Sequence, residues 1–231
     1  MKRSSLLVGL DFGGTLDGSA VAPKFIRWGF YQRDGYDFST EVLEQAHIHT
    51  REQVLAIPNR QAWDISHATE EWFVREAEYL GLDIELARRW ATQYAEEKQR
   101  RLLASQPAIY NLSRDYRLVL ISNNIGNLEQ VLTEVGLRTS FQFIVDSSVC
   151  GYRKPDVKIF YEAQRLASVT ASSSCWYLGD KYNNDVIPAL KAGWNASWLV
   201  KDKSPSSVPP NILLVSSLEE FHCELNKRYR D

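Results

Sequence analysis

Asp11 ends the apolar run Leu6-Leu7-Val8-Gly9-Leu10 and is followed closely by Gly13-Gly14, so its carboxylate can approach an electrophile with no side chain in the way. Later runs end in similar chemistry: Ser122-Asn123-Asn124 after one, Gly179-Asp180 after another, with Asn183-Asn184-Asp185 just beyond. Lys154 precedes Pro155 in Gly151-Tyr152-Arg153-Lys154-Pro155-Asp156, at the start of an expected helix. Two or three carboxylates, an ammonium, a hydroxyl and exposed backbone amides suit Mg²⁺ and a phosphoryl group. Asp180 and Asp185 fit a hard cation, Lys154 would neutralise charge on the transferring group, and Ser122 would bind its oxygens.

Convergence of these residues requires a fold that gathers strand ends. Five apolar, β-branched runs read as buried strands: Leu6 to Phe12, Arg117 to Ser122, Phe141 to Val145, Trp176 to Gly179 and Ser197 to Val200. Runs apolar on both faces predict a parallel sheet covered by helices. Helical patterns fall near Asn127 to Val135, Val157 to Leu166 and Asn184 to Ala192, the first closed by Gly136 and the last by Gly193. This alternation predicts an α/β, Rossmann-like doubly wound core, in which ligands bind beyond the carboxyl ends of the strands. Residues 204–210 read as a loop before a last strand and a short C-terminal helix.

Residues 18–111 break the alternation and are too long for a loop. Phe73, Ala77 and Leu80 fall on one helical face, as do Ala87, Trp90, Ala91 and Tyr94, predicting two amphipathic helices joined at Gly81-Leu82-Asp83. The expected organisation is a core of residues 1–17 and 112–231 with a helical cap of residues 18–111 inserted after the first strand.

Composition narrows the partners. The 231 residues are 44% hydrophobic, enough for a full core, and 27 Lys plus Arg against 29 Asp plus Glu create no field favouring nucleic acid or an anionic membrane. No stretch approaches a membrane span, and the N-terminal apolar run is too short for a signal peptide. Cys150, Cys175 and Cys223 are odd in number and widely spaced, which argues against a disulfide framework or zinc site and fits a reducing cytoplasm. Oligomeric state leaves no trace in the sequence.

The four reactive segments, in this order and with a cap-sized insertion, resemble the haloacid dehalogenase-like hydrolase superfamily, whose members use an aspartyl nucleophile, mostly on phosphate esters. Asp11-Phe12-Gly13-Gly14-Thr15 is similar to the first motif, Ser122 to the second, Lys154 in Arg-Lys-Pro-Asp to the third, and Gly179-Asp180 with Asn184-Asp185 to the fourth. The resemblance implies Asp11 as nucleophile, Lys154 as a catalytic and phosphate-binding cation and Ser122 as a phosphate ligand; Thr15 and Asn123 are further candidate substrate contacts. It also implies Mg²⁺ held by Asp11, the backbone carbonyl of Gly13, and Asp180, with Asp185 in support. The implied substrate is a small phosphorylated metabolite.

One position departs from that pattern. Gly13 stands where the phosphatase branch carries the Asp that protonates the leaving oxygen and then activates water. The main expectation is a phosphohydrolase that takes its acid/base group from elsewhere, with Asp17, His47, His49 and His67 as substitutes, or that acts on a leaving group needing no proton. Alternatives are attack at another bond, as in the phosphonatase and dehalogenase branches, and a catalytically impaired phosphometabolite-binding module. Phosphonatase chemistry needs a cap lysine, and residues 18–111 offer only Lys24 and Lys98. Dehalogenases usually carry Tyr at the position of Gly13.

Plainer roles are expected for the remaining residues. His47 and His49, two apart on a helix, point away from each other and do not suggest zinc. Trp28, Phe30, Tyr31, Trp63, Trp72 and Phe73 read mainly as core, one or two also lining a pocket. Lys98-Gln99-Arg100-Arg101 reads as a solvated helix end, Cys150 and Cys175 as buried thiols, Asp156 as a helix-start residue, and Asn123 as either a loop-shaping residue or a substrate contact.

Overall fold

Alternation inside the apolar runs sets the two faces of the sheet: Val8 and Leu10 pack into one buried cluster and Leu7 into the other. The structure, a computed structural model, describes residues 5–19, 22–200 and 209–229. The first strand, β1 (Leu7–Leu10), leads into four helices: α1 (Pro23–Arg33), α2 (Thr40–Ala56), α3 (Ile65–Leu80) and α4 (Ile84–Asp115). There follow β2 (Arg117–Ser122), α5 (Leu128–Glu134), β3 (Phe141–Asp146), the short α6 (Ser147–Cys150) and α7 (Lys158–Ala167). The chain continues through β4 (Cys175–Gly179), α8 (Ile187–Lys191), β5 (Asn195–Leu199), β6 (Ile212–Val215) and α9 (Leu218–Tyr229).

All strand pairs are parallel, in the order β3-β2-β1-β4-β5-β6. Chain order reverses between β1 and β4, which makes the carboxyl ends of those two strands and of β2 the natural ligand crevice. One face is covered by the C-terminal half of α4 with α5 and α9, through Leu102, Ile109, Leu112, Val131 and Phe221. The other face is covered by α7 and α8, through Ile159, Phe160 and Ala189. The five expected strands and three expected core helices are present within a few residues of the predicted limits. The loop expected over 204–210 lies outside the described residues as far as 208.

The helical insertion differs from expectation in number and length. The two predicted helices are α3 and α4, joined at Gly81, but α1 and α2 precede them, and α4 continues unbroken through Pro107 to Asp115. The junction expected at residues 111–112 therefore falls inside a helix. Trp28, Tyr31, Phe73 and Trp90 form the core of this layer. Beside it Glu76 is fully buried, held by Arg27 through Nε (2.7 Å) and Nη2 (3.1 Å) and by the Tyr31 hydroxyl (2.6 Å). Arg101 Nε donates to the carbonyl of Asp17 at 3.1 Å, joining the return of the insertion to its departure.

Cys150 and the run 98–101 differ from expectation. Cys150 is only half-buried, because it lies at the open end of the four-residue α6, whereas Cys175 in β4 is buried. The run 98–101 is not simply solvated: Lys98 faces a cavity and Arg101 reaches Asp17, so within this run only Arg100 is exposed. Among the described residues no helix is long and apolar enough to cross a membrane.

Candidate active site

Asp11 follows β1 directly and stays hydrogen-bonded to the sheet, its N–H donating to the Leu178 carbonyl at 2.9 Å. The chain then turns sharply through residues 12–16, closed by the Asp17 N–H to the Phe12 carbonyl at 3.0 Å. Gly14 makes that turn with φ +87°, and a β-carbon there would lie 2.2 Å from Asp180 Oδ2, so backbone angle and space both demand glycine. Gly13 is different: its φ of −78° and ψ of 120° suit any residue, and a β-carbon would meet nothing within 4 Å. The fold therefore does not impose the missing carboxylate at position 13.

The ends of β1, β2 and β4, the segment between α6 and α7 and the turn over residues 182–186 bring the polar groups together. Lys154 Nζ is buried and donates to Asp11 Oδ1 at 2.6 Å, Asp185 Oδ1 at 2.5 Å and the Tyr177 hydroxyl at 2.7 Å. Ser122 Oγ donates to Asp11 Oδ1 at 3.2 Å. Asp185 Oδ2 accepts from the Lys181 N–H at 3.0 Å. Carboxylate oxygens of Asp11, Asp180 and Asp185 lie within 4.8 Å of one another, and Asp180 Oδ1 is buried with no hydrogen-bond partner among the described residues. Thr15 Oγ1 is likewise buried and unpartnered.

The electrostatics follow from this crowding. Burial pushes the Asp11 carboxyl up to about 7, with Lys154 pulling it down and Asp185 pushing further up. Asp180 is raised to about 6 by burial, opposed by Lys181 and reinforced by Asp185. Burial works against the Lys154 ammonium, but Asp11 and Asp185 outweigh it and hold its pKa above the ordinary value. Three carboxylates facing one buried ammonium leave negative charge in excess. A hard divalent cation with oxygen ligands fits this donor set and its orphaned Asp180 oxygen.

The predicted site residues thus split into three groups. Asp11, Ser122, Lys154 and Asp185 form one hydrogen-bonded set, with Asp180 beside it. Thr15 is buried in the turn after Asp11, its hydroxyl unused. Asn123 clamps the backbone of Lys154, accepting from its N–H at 2.8 Å and donating to its carbonyl at 2.9 Å, while also lining the adjacent cavity.

Tyr177 and Asp146 escaped the sequence reading. The Tyr177 hydroxyl receives the Lys154 ammonium and donates to the Ile121 carbonyl at 3.0 Å, fixing the lysine from below. Asp146 ends β3 and accepts from the N–H groups of Gly126 (3.0 Å) and Ser148 (2.9 Å), which ties the loop after β2 to the next strand. Its position at a strand end was the available signal.

Beside this set a cavity of about 330 Å³ opens between α1–α4 and the loop after β2, reaching Asn123, Asn124 and Arg153. Trp72 and Phe73 line it, while Trp28 and Tyr31 belong to the helical core. Of the expected acid/base substitutes, His47 lines the cavity, whereas His49 and His67 are exposed. His47 Nδ1 lies 3.0 Å from Arg27 Nη2, and its ring stacks on Trp72. Burial, reinforced by Arg27, lowers His47 to about 4, so the ring is neutral near pH 7. Asp17 Oδ1 is occupied by the Gly14 N–H at 2.7 Å and by the N–H and hydroxyl of Ser19 at 3.0 and 2.8 Å.

Comparison with known proteins agrees with this geometry. Residues 36–199 match the family model described as haloacid dehalogenase-like hydrolase. Haloacid dehalogenase-like hydrolase domain-containing protein 3 of Bos taurus is 38% identical over 92 residues, which cover 40% of this chain and 36% of that protein. The glyceraldehyde 3-phosphate phosphatase of Methanothermobacter thermautotrophicus is 35% identical over 85 residues, covering 36% of this chain and 37% of the phosphatase. The chain thus spans less than half the length of these curated relatives. Among solved structures, the putative HAD-hydrolase YfnB of Bacillus subtilis, determined bound to magnesium, shares the fold with a TM-score of 0.58 at 18% identity, over 97% of this chain and 100% of that one. With the family match extending over most of the chain and the reactive strand ends gathered at one crevice, the protein belongs to the haloacid dehalogenase-like hydrolase family.

Proposed function

We propose that the chain is a Mg²⁺-dependent phosphoric monoester hydrolase acting on a small phosphorylated metabolite through a covalent intermediate on Asp11. The observation that carries this reading is the Lys154 ammonium, buried within 2.6 Å of Asp11 and 2.5 Å of Asp185 beside the unpaired oxygen of Asp180. Nucleophile, neutralising cation and cation-binding carboxylates share one polar nest. The glyceraldehyde 3-phosphate phosphatase relative supports a small phosphate ester as the substrate class.

In the first step an Asp11 oxygen attacks phosphorus, and the ester P–O bond breaks with its electron pair leaving on the alcohol oxygen. Lys154 balances charge on the phosphoryl oxygens, the Ser122 hydroxyl turns from Asp11 to donate to them, and Thr15 Oγ1 offers a further donor. Water then attacks the phosphorus of the acyl phosphate, releasing phosphate and restoring Asp11. Asp11, Asp180 and the Gly13 carbonyl would hold Mg²⁺, with Asp185 in support, and the cation would supply charge withdrawal at the phosphoryl oxygens.

Gly13 limits this sequence at the proton transfers. A positioned acid/base group typically contributes about 10²- to 10⁴-fold, so its absence favours leaving oxygens that depart without a proton. Asp17 is committed to its own turn, and His47 is the histidine whose ring faces the cavity.

The test is phosphate release from a panel of phosphate esters, phosphonates and haloacids, with and without Mg²⁺, run beside Asp11→Asn. Metal-dependent phosphate release lost in that variant is expected. Halide release without Mg²⁺ would overturn the reading, and saturable binding with no turnover would favour a binding module.

A further inference from the structure

The cavity beside the site is lined by Lys24, Arg27, Arg51, Lys98 and Arg153 and by no carboxylate. Two of these cations are already balanced, Lys24 by Glu44 and Arg27 by the buried Glu76. Arg51, Lys98 and Arg153 have no side-chain hydrogen bond or ion pair with any described residue. Lys98 lies over the Phe12 ring at 5.3 Å, one residue from the proposed nucleophile. Arg153 adjoins Lys154, whose backbone is fixed by Asn123.

Arg51 and Lys98 are half-buried, Arg153 is exposed at the same lining and is repelled by Arg51, so an anion entering the cavity meets three cations with no competing side-chain partner among the described residues. Burial and Arg51 together lower the pKa of Arg153, and burial lowers that of Lys98, whose nearest acids, Asp17 and Glu134, act on it only through space. Neighbouring Asn123 and Asn124 add polar side chains, and Trp72 adds an aromatic surface to the same lining. Lys154, Ser122 and the carboxylate cluster already provide for the transferring phosphoryl group. The three free cations therefore have no role in handling it.

Resting on the phosphohydrolase reading, we propose that Arg51, Lys98 and Arg153 receive a second anionic group, a carboxylate or another phosphate, on the same substrate. The preferred substrates are then phosphate esters carrying two anionic centres, one at Asp11 and one in the cavity. An ester with a single anionic group leaves these cations uncompensated.

Two matched pairs test this: O-phosphoserine against phosphoethanolamine, which differ by the carboxylate, and fructose 1,6-bisphosphate against fructose 6-phosphate, which differ by a phosphate. The charged member of at least one pair is expected to show kcat/KM about 10-fold higher or more, as charge-assisted pairing implies. Lys98→Met and Arg153→Gln, each confirmed as folded by its melting curve, are each expected to shrink that ratio toward one. The pair that responds identifies whether carboxylate or phosphate is the preferred group. Binding of the same four compounds to Asp11→Asn, read by tryptophan fluorescence, separates this proposal from the hydrolase reading. If no ester is turned over but the charged member binds more tightly and Lys98→Met removes the difference, the cavity assignment stands and hydrolysis falls. If esters are hydrolysed with no preference in either pair, or the preference survives both substitutions, the assignment is overturned and hydrolysis stands.

Discussion

The side-chain amide of Asn123 brackets the backbone of Lys154, accepting from its N–H at 2.8 Å and donating to its carbonyl at 2.9 Å. The residue after Ser122 thus fixes the segment that carries the buried ammonium, although 31 residues separate the two in sequence. Asn123→Ala is expected to leave both backbone groups without these partners, lowering stability by about 1–2 kcal/mol. Displacement of Lys154 should also reduce kcat/KM on the best ester by about 10²-fold, as misplaced catalytic groups do. Urea denaturation alongside steady-state kinetics measures both, and unchanged values would show that Lys154 is held by Asp11 and Asp185 alone.

The two adjacent glycines respond in opposite ways. Gly14→Ala forces an L-residue to φ +87° and drives a β-carbon into the Asp180 carboxylate, at a cost on the order of 1–3 kcal/mol from the backbone alone. Gly13→Ala meets nothing and keeps an ordinary backbone angle, so it is expected to be neutral or stabilising by about 0.5 kcal/mol. Parallel thermal melts of the two variants decide the matter.

Restoring a carboxyl group is the chemical counterpart. Gly13→Asp should fold normally and raise hydrolysis of alkyl phosphates, whose leaving oxygen needs a proton, by as much as about 10²- to 10⁴-fold. Aryl phosphates should gain far less. A plot of log kcat/KM against leaving-group pKa is therefore expected to flatten, and parallel plots for the two proteins would count against general acid catalysis at this position.

Cation binding has its own thermal readout. Mg²⁺ at a hundredfold excess over Kd should stabilise the protein by about 2.7 kcal/mol, seen as a rise in Tm. Asp180→Asn should abolish that rise. The same variant should melt higher than the parent without Mg²⁺, because it removes a carboxylate whose charge burial disfavours. A magnesium shift preserved in Asp180→Asn would move the ion to other ligands.

His47 is expected to contribute to the acid sensitivity of the fold. Its pKa is about 4 in the folded protein against 6.5 ordinarily, so between those values the unfolded chain takes up a proton that the folded chain does not. Stability from this group is unchanged above pH 6.5 and is lost as pH falls from 6.5 toward 4. Protonation would also remove the acceptor facing Arg27 Nη2. The stability difference between pH 7 and pH 5 is expected to be smaller in His47→Gln than in the parent, measured by urea midpoints at both values.

Strand ends made most of this site legible in advance. Asp11, Ser122 and Asp180 each close a short apolar run, and a parallel sheet brings such ends together whatever their separation along the chain. Helix α1 was less readable because Arg27 lies on its buried side, neutralised by a glutamate 49 residues away, which breaks the apolar stripe. Pro107 within α4 similarly resembles a stop signal, yet Leu102, Ile109 and Leu112 around it pack on the sheet and keep the helix whole. The cationic wall was hidden for a geometric reason: its members come from α1, α2, α4 and the segment before Pro155, and no local spacing connects them.

The contact between Arg101 and the carbonyl of Asp17 closes an excursion of 84 residues into a ring with a narrow neck. No described residue between those two positions belongs to a strand of the sheet, so helices there can be lengthened, shortened or exchanged without shifting the register of β1 against β2. Selectivity can thus diversify on one side of the neck while the reacting groups on the other keep their spacing, an arrangement in which the specificity of this architecture can be rewritten separately from its chemistry.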